Sequence, residues 1–189
     1  MNPEIRVAMV KDFLALLQDG KVPQGAEILA FAEPGFAKRV EESSRIDWLA
    51  AEPVVKLAEK ARSLLGTDQW RSVHRAVAGD LVQRPLFRAF SLGMRTVFGA
   101  TPAAYCKIFP LALKQAHRNY GSIEYVSIGK TAAQVRFSGC PTEALSRGML
   151  DVFAGTLEGL VIPTARNVSV EVEFEPGADN AVISVHWDH

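Results

Sequence analysis

The chain has 189 residues, of which 48% are hydrophobic and 22% are charged, as in ordinary globular proteins. No apolar run approaches the roughly 20 residues of a membrane-spanning helix, and two cysteines, Cys106 and Cys140, are too few for a disulfide framework. The first 20 residues include acidic side chains and no long apolar segment. We therefore expect no signal peptide and a cytoplasmic location.

The first part of the chain predicts short helices. Apolar residues recur at helical spacing from Met9 to Leu17, and Gly20 is a plausible end for that helix. Residues 20–46 contain Gly25, Pro34 and Gly35, which indicate short helical turns between loops.

Longer helices follow. Pro53 suits a helix start and Gly66 a helix end, and Thr67 can cap the next helix. Residues 86–98 predict another helix. Thr101-Pro102 opens a further one, in which Pro110 should cause a kink or a break.

The hydrophobic period changes from 3.6 to 2 at Gly121. Residues 122–128 and 131–138 predict two strands, residues 141–160 a helix, and residues 166–175 and 181–187 a terminal hairpin. This order predicts an α+β fold: an N-terminal helical half followed by an antiparallel ββαββ sheet with a helix packed on it. We expect one domain over residues 1–189, with a helical extension (1–46), a helical half (47–118) and a ββαββ half (119–189).

Three glycines share one stripe of the helix at 141–160. Gly148, Gly155 and Gly159 each weaken a helix by about 1 kcal/mol, which indicates that this backbone approaches a neighbour closely. The neighbour is either the sheet or a ligand held between the helix and the sheet.

Charge is distributed unevenly, although the net charge is zero. Residues 60–118 hold ten Lys and Arg against only Asp68 and Asp80, whereas the flanking segments are acidic. This excess predicts an acidic protein partner, or a second copy of the chain, for Arg71, Arg75, Arg84, Arg88 and Arg95. The basic helices could equally face the protein's own acidic segments, and nucleic acid is not the expected partner because the aromatic residues do not alternate with the arginines.

Aromatic residues near the helix–sheet junction could line a pocket for a small apolar ligand. We predict Tyr105, Phe109, Tyr125 and Trp187 as ligand-binding residues, together with Gly155. No catalytic motif and no metal-ligand spacing is recognised, so no catalytic or metal-binding residue is predicted.

Several segments carry a resemblance to a known family. They are the runs from Phe98 to Pro102 and from His117 to Glu124, the 148–158 helix and the end at Trp187. With these, the chain from about Trp48 onward resembles a family of unknown function that is expanded in myxobacteria.

More remotely, the order of helices and ββαββ resembles the fold of haem nitric-oxide sensors, vinyl-reductase-like domains and TRAPP subunits. That resemblance implies a small apolar or haem ligand between helices and sheet. The haem sensors have an axial histidine one helix before the sheet and a Tyr-x-Ser-x-Arg motif within it. This chain has no histidine between His74 and His117, and its nearest stretch is Arg136-Phe-Ser-Gly-Cys140. We therefore expect no cofactor, and specifically no haem.

The sequence thus predicts a non-enzymatic signalling or regulatory module that acts by protein–protein contact, gated by a small apolar ligand between helices and sheet. The alternatives are an enzyme for a small hydrophobic substrate, with Tyr125 or His117 as acid or base, and a nucleic-acid-binding regulator that uses the basic helices.

Overall fold

A computed structural model describes residues 2–83 and 99–188. The helices of these ranges are α1 (Val7–Gln18), α2 (Gly25–Ala30), α3 (Phe36–Glu42), α4 (Glu52–Leu65), α5 (Thr67–Gln83), α6 (Pro102–Ala116) and α7 (Arg147–Val161). The strands are β1 (Glu4–Arg6), β2 (Trp48–Ala50), β3 (His117–Arg118), β4 (Ser122–Ser127), β5 (Ala132–Ser138), β6 (Arg166–Glu173) and β7 (Ala181–Asp188). None of the helices in these ranges is both long and apolar enough to cross a membrane.

The four C-terminal strands form one antiparallel sheet in the order β4-β5-β7-β6. Side chains alternate along each strand, so that Val135, Phe137, Ile183 and Val185 are buried on one face while polar residues occupy the other. The helices lie before and between these strands, and the predicted α+β class with its ββαββ order is confirmed.

A second, small sheet has the order β2-β1-β3. Its strands have two or three residues each, and the sequence pattern did not predict them because alternation over so few residues carries no signal. The sheet joins the start of the chain to the segments that follow α3 and α6, so it fixes where α1 begins.

Helix α7 is buried between two layers. Its Phe153 ring stacks on Phe137 of the sheet, with ring centroids 5.8 Å apart. Its glycines face the opposite way, toward α4 and α5: a Cβ on Gly148 would lie 2.5 Å from the Ala58 carbonyl, and one on Gly155 would lie 2.5 Å from the Arg71 carbonyl. The glycine stripe therefore serves helix-on-helix packing against α4 and α5, and the favoured neighbour, the sheet, was wrong.

Two helix predictions need correction. Helix α7 begins at Arg147 and not at Pro141, because the Ser146 hydroxyl accepts a hydrogen bond from the Met149 N–H and caps the helix there. Helix α6 continues from Pro102 to Ala116 through the buried Pro110, so the predicted split does not occur. The helix predicted for residues 86–98 lies outside the described residues.

The outer edge of the large sheet is covered by arginine side chains. Strand β6 is an edge strand, and its carbonyls at Val170 and Val172 accept hydrogen bonds from Arg71 and Arg147, each at 3.0 Å. Edge strands with free backbone groups pair readily with other chains, so these arginines occupy sites that such pairing would use.

Candidate functional site

A mostly apolar cavity of about 250 Å³ lies among α1, α5, α6 and α7. Its deep wall includes Val10, Phe13, Val54, His74, Phe109 and Phe153. Ala15, Asp19 and Lys21 also line it and are exposed, so the cavity opens to solvent near the end of α1. A 150 Å³ apolar cavity can hold benzene, so this volume is sufficient for a small aromatic molecule.

The local sequence explains why the space is not filled. Helix α6 presents Ala112 and Ala116 to the cavity, four residues apart and therefore on one face. Thr156 of α7 adds another short side chain, whose hydroxyl donates to the Val152 carbonyl at 2.8 Å. Three short side chains on facing helices leave a gap that the longer apolar residues of α1 do not reach.

His74 lies in the cavity wall on α5. Its ring makes an edge contact with Trp70 at 4.3 Å between centroids and lies parallel to the Phe13 ring at 6.3 Å. Its Nε2 atom is buried and has no hydrogen-bond partner within the described part of the chain. Burial lowers the pKa of His74 to about 3, so the imidazole is neutral near neutral pH.

His117, where α6 passes into β3, is the second histidine of the cavity wall. Its Nδ1 lies 3.0 Å from the Leu113 carbonyl oxygen, which can only accept, so Nδ1 carries the proton and Nε2 has a lone pair. Burial lowers the pKa of His117 to about 4, against a smaller opposing effect of that hydrogen bond. The site thus contains two neutral imidazoles.

A charged cluster on α4, α5 and α7 lies next to residues that line the cavity, since Arg71 precedes His74 by three residues and Asp151 precedes Val152. We call it the Asp151 cluster, and it consists of Asp151, Arg62, Arg71 and Arg147. The fully buried carboxylate of Asp151 accepts hydrogen bonds from Arg71 at 2.7 Å and from Arg62 at 2.9 Å. Since Arg71 and Arg147 also reach β6, this cluster connects α4, α5, α7 and the sheet edge.

The structure separates the residues predicted to bind a ligand. Phe109 lies in the cavity wall, whereas Tyr105, Tyr125 and Trp187 pack elsewhere in the core. Gly155 contacts the α5 backbone. A Cβ added to Gly155 would lie 3.1 Å from the Cβ of His74. Gly155 therefore allows α5, which carries His74, to approach α7 closely.

The predicted space between helix and sheet is filled by side chains such as Phe137 and Phe153. The described cavity instead runs along α7 from Met149 to Leu160, and α1 forms part of its wall. Sequence patterns could not show this, because the position of α1 depends on the small sheet that anchors its start.

Two of the five arginines predicted to bind a partner are paired within the chain. Arg71 binds Asp151, and Arg75 lies 3.1 Å from Glu158 on α7. These pairs match the alternative in which basic helices face the protein's own acids. Arg84, Arg88 and Arg95 lie outside the described residues, and a partner-binding role stays a prediction.

Sequence reasoning did not predict that the two histidines line one cavity. His74 and His117 lie 43 positions apart in the chain, and each resembles an isolated core histidine. The available signal was weak: His74 falls at helical spacing from Trp70 and Val77, and His117 lies near the C-terminus of a predicted helix.

Comparison with known proteins gives no matching family model and no matching curated protein. Solved structures do match along nearly the whole chain. An H-NOX protein from S. oneidensis in the Fe(II)NO state has a TM-score of 0.58 and 13% identity, covering 100% of both chains. An oxygen-binding H-NOX domain related to soluble guanylate cyclases has a TM-score of 0.57 and 14% identity, covering 98% of this chain and 96% of that one.

A variant of the T. tengcongensis H-NOX protein, with the substitution I5F, gives a TM-score of 0.56 at 16% identity and covers 98% of both chains. At these identities the likeness shows the fold alone. The remote resemblance to haem nitric-oxide sensors is therefore confirmed as a shared architecture.

The expectation of no cofactor is corrected by these neighbours, because proteins with this architecture include haem domains. The donor chemistry here is compatible with haem iron: both imidazoles are neutral, and none of the described residues pairs with His74 Nε2. A backbone carbonyl that fixes the His117 tautomer is a common support for a metal-ligating histidine. The volume of about 250 Å³ lies below the range of about 300–1,000 Å³ for drug-sized ligands, so haem would fit only if the surrounding helices moved apart.

Proposed function

We propose that this protein is a non-enzymatic regulatory module whose state is set by a ligand in the cavity among α1, α5, α6 and α7. The observation that carries the proposal is the cavity itself, which combines an apolar wall, two buried imidazoles and an opening to solvent. The H-NOX neighbours support it, since one of them is an NO-ligated protein and another an oxygen complex, both with this fold.

Helix α5 has residues in the cavity wall and residues that bind the sheet edge. His74 lies in the cavity wall, and Arg71, three residues earlier, binds both Asp151 and the Val170 carbonyl of β6. A ligand that shifts α5 would therefore change the contacts of the exposed edge strand. We propose that a protein partner, or a second copy of the chain, reads this change at β6 and at the basic segment of residues 60–118.

Haem is one candidate ligand, and His74 or His117 would hold it. When bound, its iron offers a coordination position to a diatomic gas. The protein's own part is to keep both imidazoles unprotonated and to exclude water through the apolar wall formed by residues such as Val10 and Phe109. Membership in the myxobacterial family stays a prediction.

The rival enzymatic interpretation receives less support from the geometry. Tyr125 lies on β4 and does not line the cavity, whereas His117 does, so the two predicted acid–base candidates do not act at one centre. The regulatory interpretation uses the cavity and the Asp151 cluster together, and no proton transfer is needed.

Hydrogen exchange with and without ligand tests the proposal. We expect haem or toluene to slow amide exchange in α1 and α5 and also to alter exchange in β6, although no residue of β6 lines the cavity. Asp151→Asn should keep the first effect and lose the second.

Ala112→Phe should fill the cavity and abolish both effects, while Leu111→Phe, an exposed neighbour on the same helix, should retain them. If neither haem nor toluene binds the unmodified protein, or if exchange changes only in residues that line the cavity, the proposal is wrong.

A further inference from the structure

The two edges of the large sheet differ in how they are protected from pairing with another chain. Strand β6 is irregular, since its register with β7 shifts between Arg166 and Ser169, and Arg71 and Arg147 occupy two of its carbonyls. Strand β4, at the opposite edge, contains no proline and no lysine, and its register with β5 is continuous along the whole strand. An edge that lacks these protective features is suited to pair with another strand.

The backbone of β4 directs alternate residues toward its outer edge. The Ile128 N–H donates to the Ala132 carbonyl at 3.1 Å, so the backbone of Ile128 faces β5. Because this direction alternates along a strand, the N–H and C=O groups of Ile123, Tyr125 and Ser127 point away from β5. Within residues 2–83 and 99–188, no residue forms a hydrogen bond with these outward groups.

The same alternation, followed across the sheet, agrees with the contacts of β6. The Trp187 N–H donates to the Thr131 carbonyl at 3.0 Å, so alternate residues of β7 face β5 and the others face β6. The pairing of β6 with β7 then leaves Val170 and Val172 facing outward, where the two arginines bind their carbonyls. The sheet thus has one edge with bonded carbonyls and one edge whose outward groups have no described partner.

A second copy of β4 fits this edge. In an antiparallel pair with a twofold axis at Tyr125, Tyr125 lies opposite its own copy and Ile123 lies opposite Ser127. All three outward-facing residues are then paired, through about six hydrogen bonds. On the outer face of the sheet, Glu124 lies opposite Val126. A slide of two residues in one direction would place Glu124 opposite its own copy, where like charges repel, and a slide in the other direction would carry Ile123 past the end of the partner strand.

We propose that two copies of this chain pair through their β4 strands, antiparallel and with Tyr125 on the twofold axis. Their two four-stranded sheets then form one continuous sheet. The half-buried Tyr125 rings make a cross-strand aromatic pair. Because arginines block the β6 edges at both ends, the assembly stops at a dimer, and because the paired edge is short, the dimer is weak and reversible. This inference goes beyond the proposed function and does not depend on the cavity or its ligand.

Removal of one outward N–H group tests the pairing. Ser127→Pro deletes a donor on the outward side only, where an edge strand tolerates proline, and Ser127→Thr is the matched control that keeps the donor. Sedimentation equilibrium should show a concentration-dependent dimer for the unmodified protein and for Ser127→Thr. The dissociation constant of Ser127→Pro should be about thirtyfold higher, because the twofold axis removes two neutral hydrogen bonds per dimer.

Engineered cysteines test the register without removing a backbone donor. Opposite Cα atoms of a hydrogen-bonded antiparallel pair lie about 5.5 Å apart, a distance that a disulfide can span. Oxidation should therefore link Tyr125→Cys into a dimer on a non-reducing gel. Ser127→Cys should stay largely unlinked, since its two copies lie about 14 Å apart in this register. The unmodified protein controls for Cys106 and Cys140, which are buried.

Three outcomes would overturn the inference. They are a monomer at every protein concentration, a dimer whose dissociation constant Ser127→Pro leaves unchanged, and crosslinking of Ser127→Cys in preference to Tyr125→Cys. None of them bears on whether the cavity binds a ligand, so this inference and the proposed function fail separately.

Discussion

Single residues control how closely α7 approaches its neighbours. Gly155 faces the Arg71 carbonyl at a distance where no side chain fits, so the gain in helix propensity from alanine cannot be realised there. By contrast, Gly79 on α5 has open space around it. The two glycines look alike in sequence, and only their surroundings distinguish them.

The first prediction concerns this pair. Gly155→Ala should lower the free energy of unfolding by about 2 kcal/mol because the α5 backbone must move away. Gly79→Ala should raise it by about 1 kcal/mol through helix propensity. Urea denaturation followed by circular dichroism measures both, and a stabilised Gly155→Ala variant would show that the two helices are not in close contact.

The second prediction concerns the Asp151 carboxylate. Asp151→Asn keeps the shape of the side chain but leaves Arg62 and Arg71 without their buried counter-charge, so the free energy of unfolding should fall by about 3 kcal/mol. Glu158→Gln is the matched control on the same helix. Its partner Arg75 is largely exposed, and the loss should stay within about 1 kcal/mol. Equal losses in the two variants would mean that burial adds nothing to the Asp151 cluster.

At the scale of elements, the edge strand β6 depends on side chains of α5 and α7 to block pairing with another chain. Its pattern of alternating valines and acids predicts a strand, but not an edge position. The structure places it at the edge and directs two guanidinium groups to its carbonyls. The sheet edge is thus supported by Arg71, which was predicted to bind a partner, and by Arg147, which was given no role.

The third prediction tests this protection. Arg147→Met retains much of the side-chain packing but frees the Val172 carbonyl, so the variant should self-associate more strongly than the unmodified protein. Arg136→Met is the control, since Arg136 is exposed and donates its hydrogen bonds to the Gln134 side chain of its own strand, β5, and not to a backbone carbonyl of β6. Sedimentation equilibrium compares the three proteins, and unchanged association of Arg147→Met would contradict an edge-blocking role.

At the scale of the whole molecule, two buried histidines link stability to pH. Burial lowers the pKa values of His74 and His117 to about 3 and about 4, from 6.5 for the free side chain. Between these values and 6.5 the unfolded chain binds more protons than the folded one. Stability therefore falls as the pH drops below about 6.5.

The fourth prediction gives this effect a size. The free energy of unfolding should decrease by about 4 kcal/mol from about pH 7 to about pH 5, roughly half of it from each histidine. Urea denaturation at several pH values measures the slope. A double variant, His74→Leu with His117→Leu, should show a much flatter profile, and an equally steep one would assign the pH dependence to other groups.

Local sequence determined much of this architecture. Alternation in β5, β6 and β7, the change of period at Gly121 and the caps at Gly66 and Thr101 depend on neighbouring residues only, so the α+β class and the ββαββ order were predictable. The glycine stripe also predicted that α7 has a close neighbour, although the neighbours are α4 and α5 and not the sheet.

Only the tertiary structure decided which helices α7 approaches, where the cavity lies and which residues line it. His74 and His117 come together because β1 and β3 pair and because α7 packs against α5, and both arrangements join segments far apart in the chain. Contacts of this kind depend on the relative placement of whole elements, and the pattern within any one element carries no record of them.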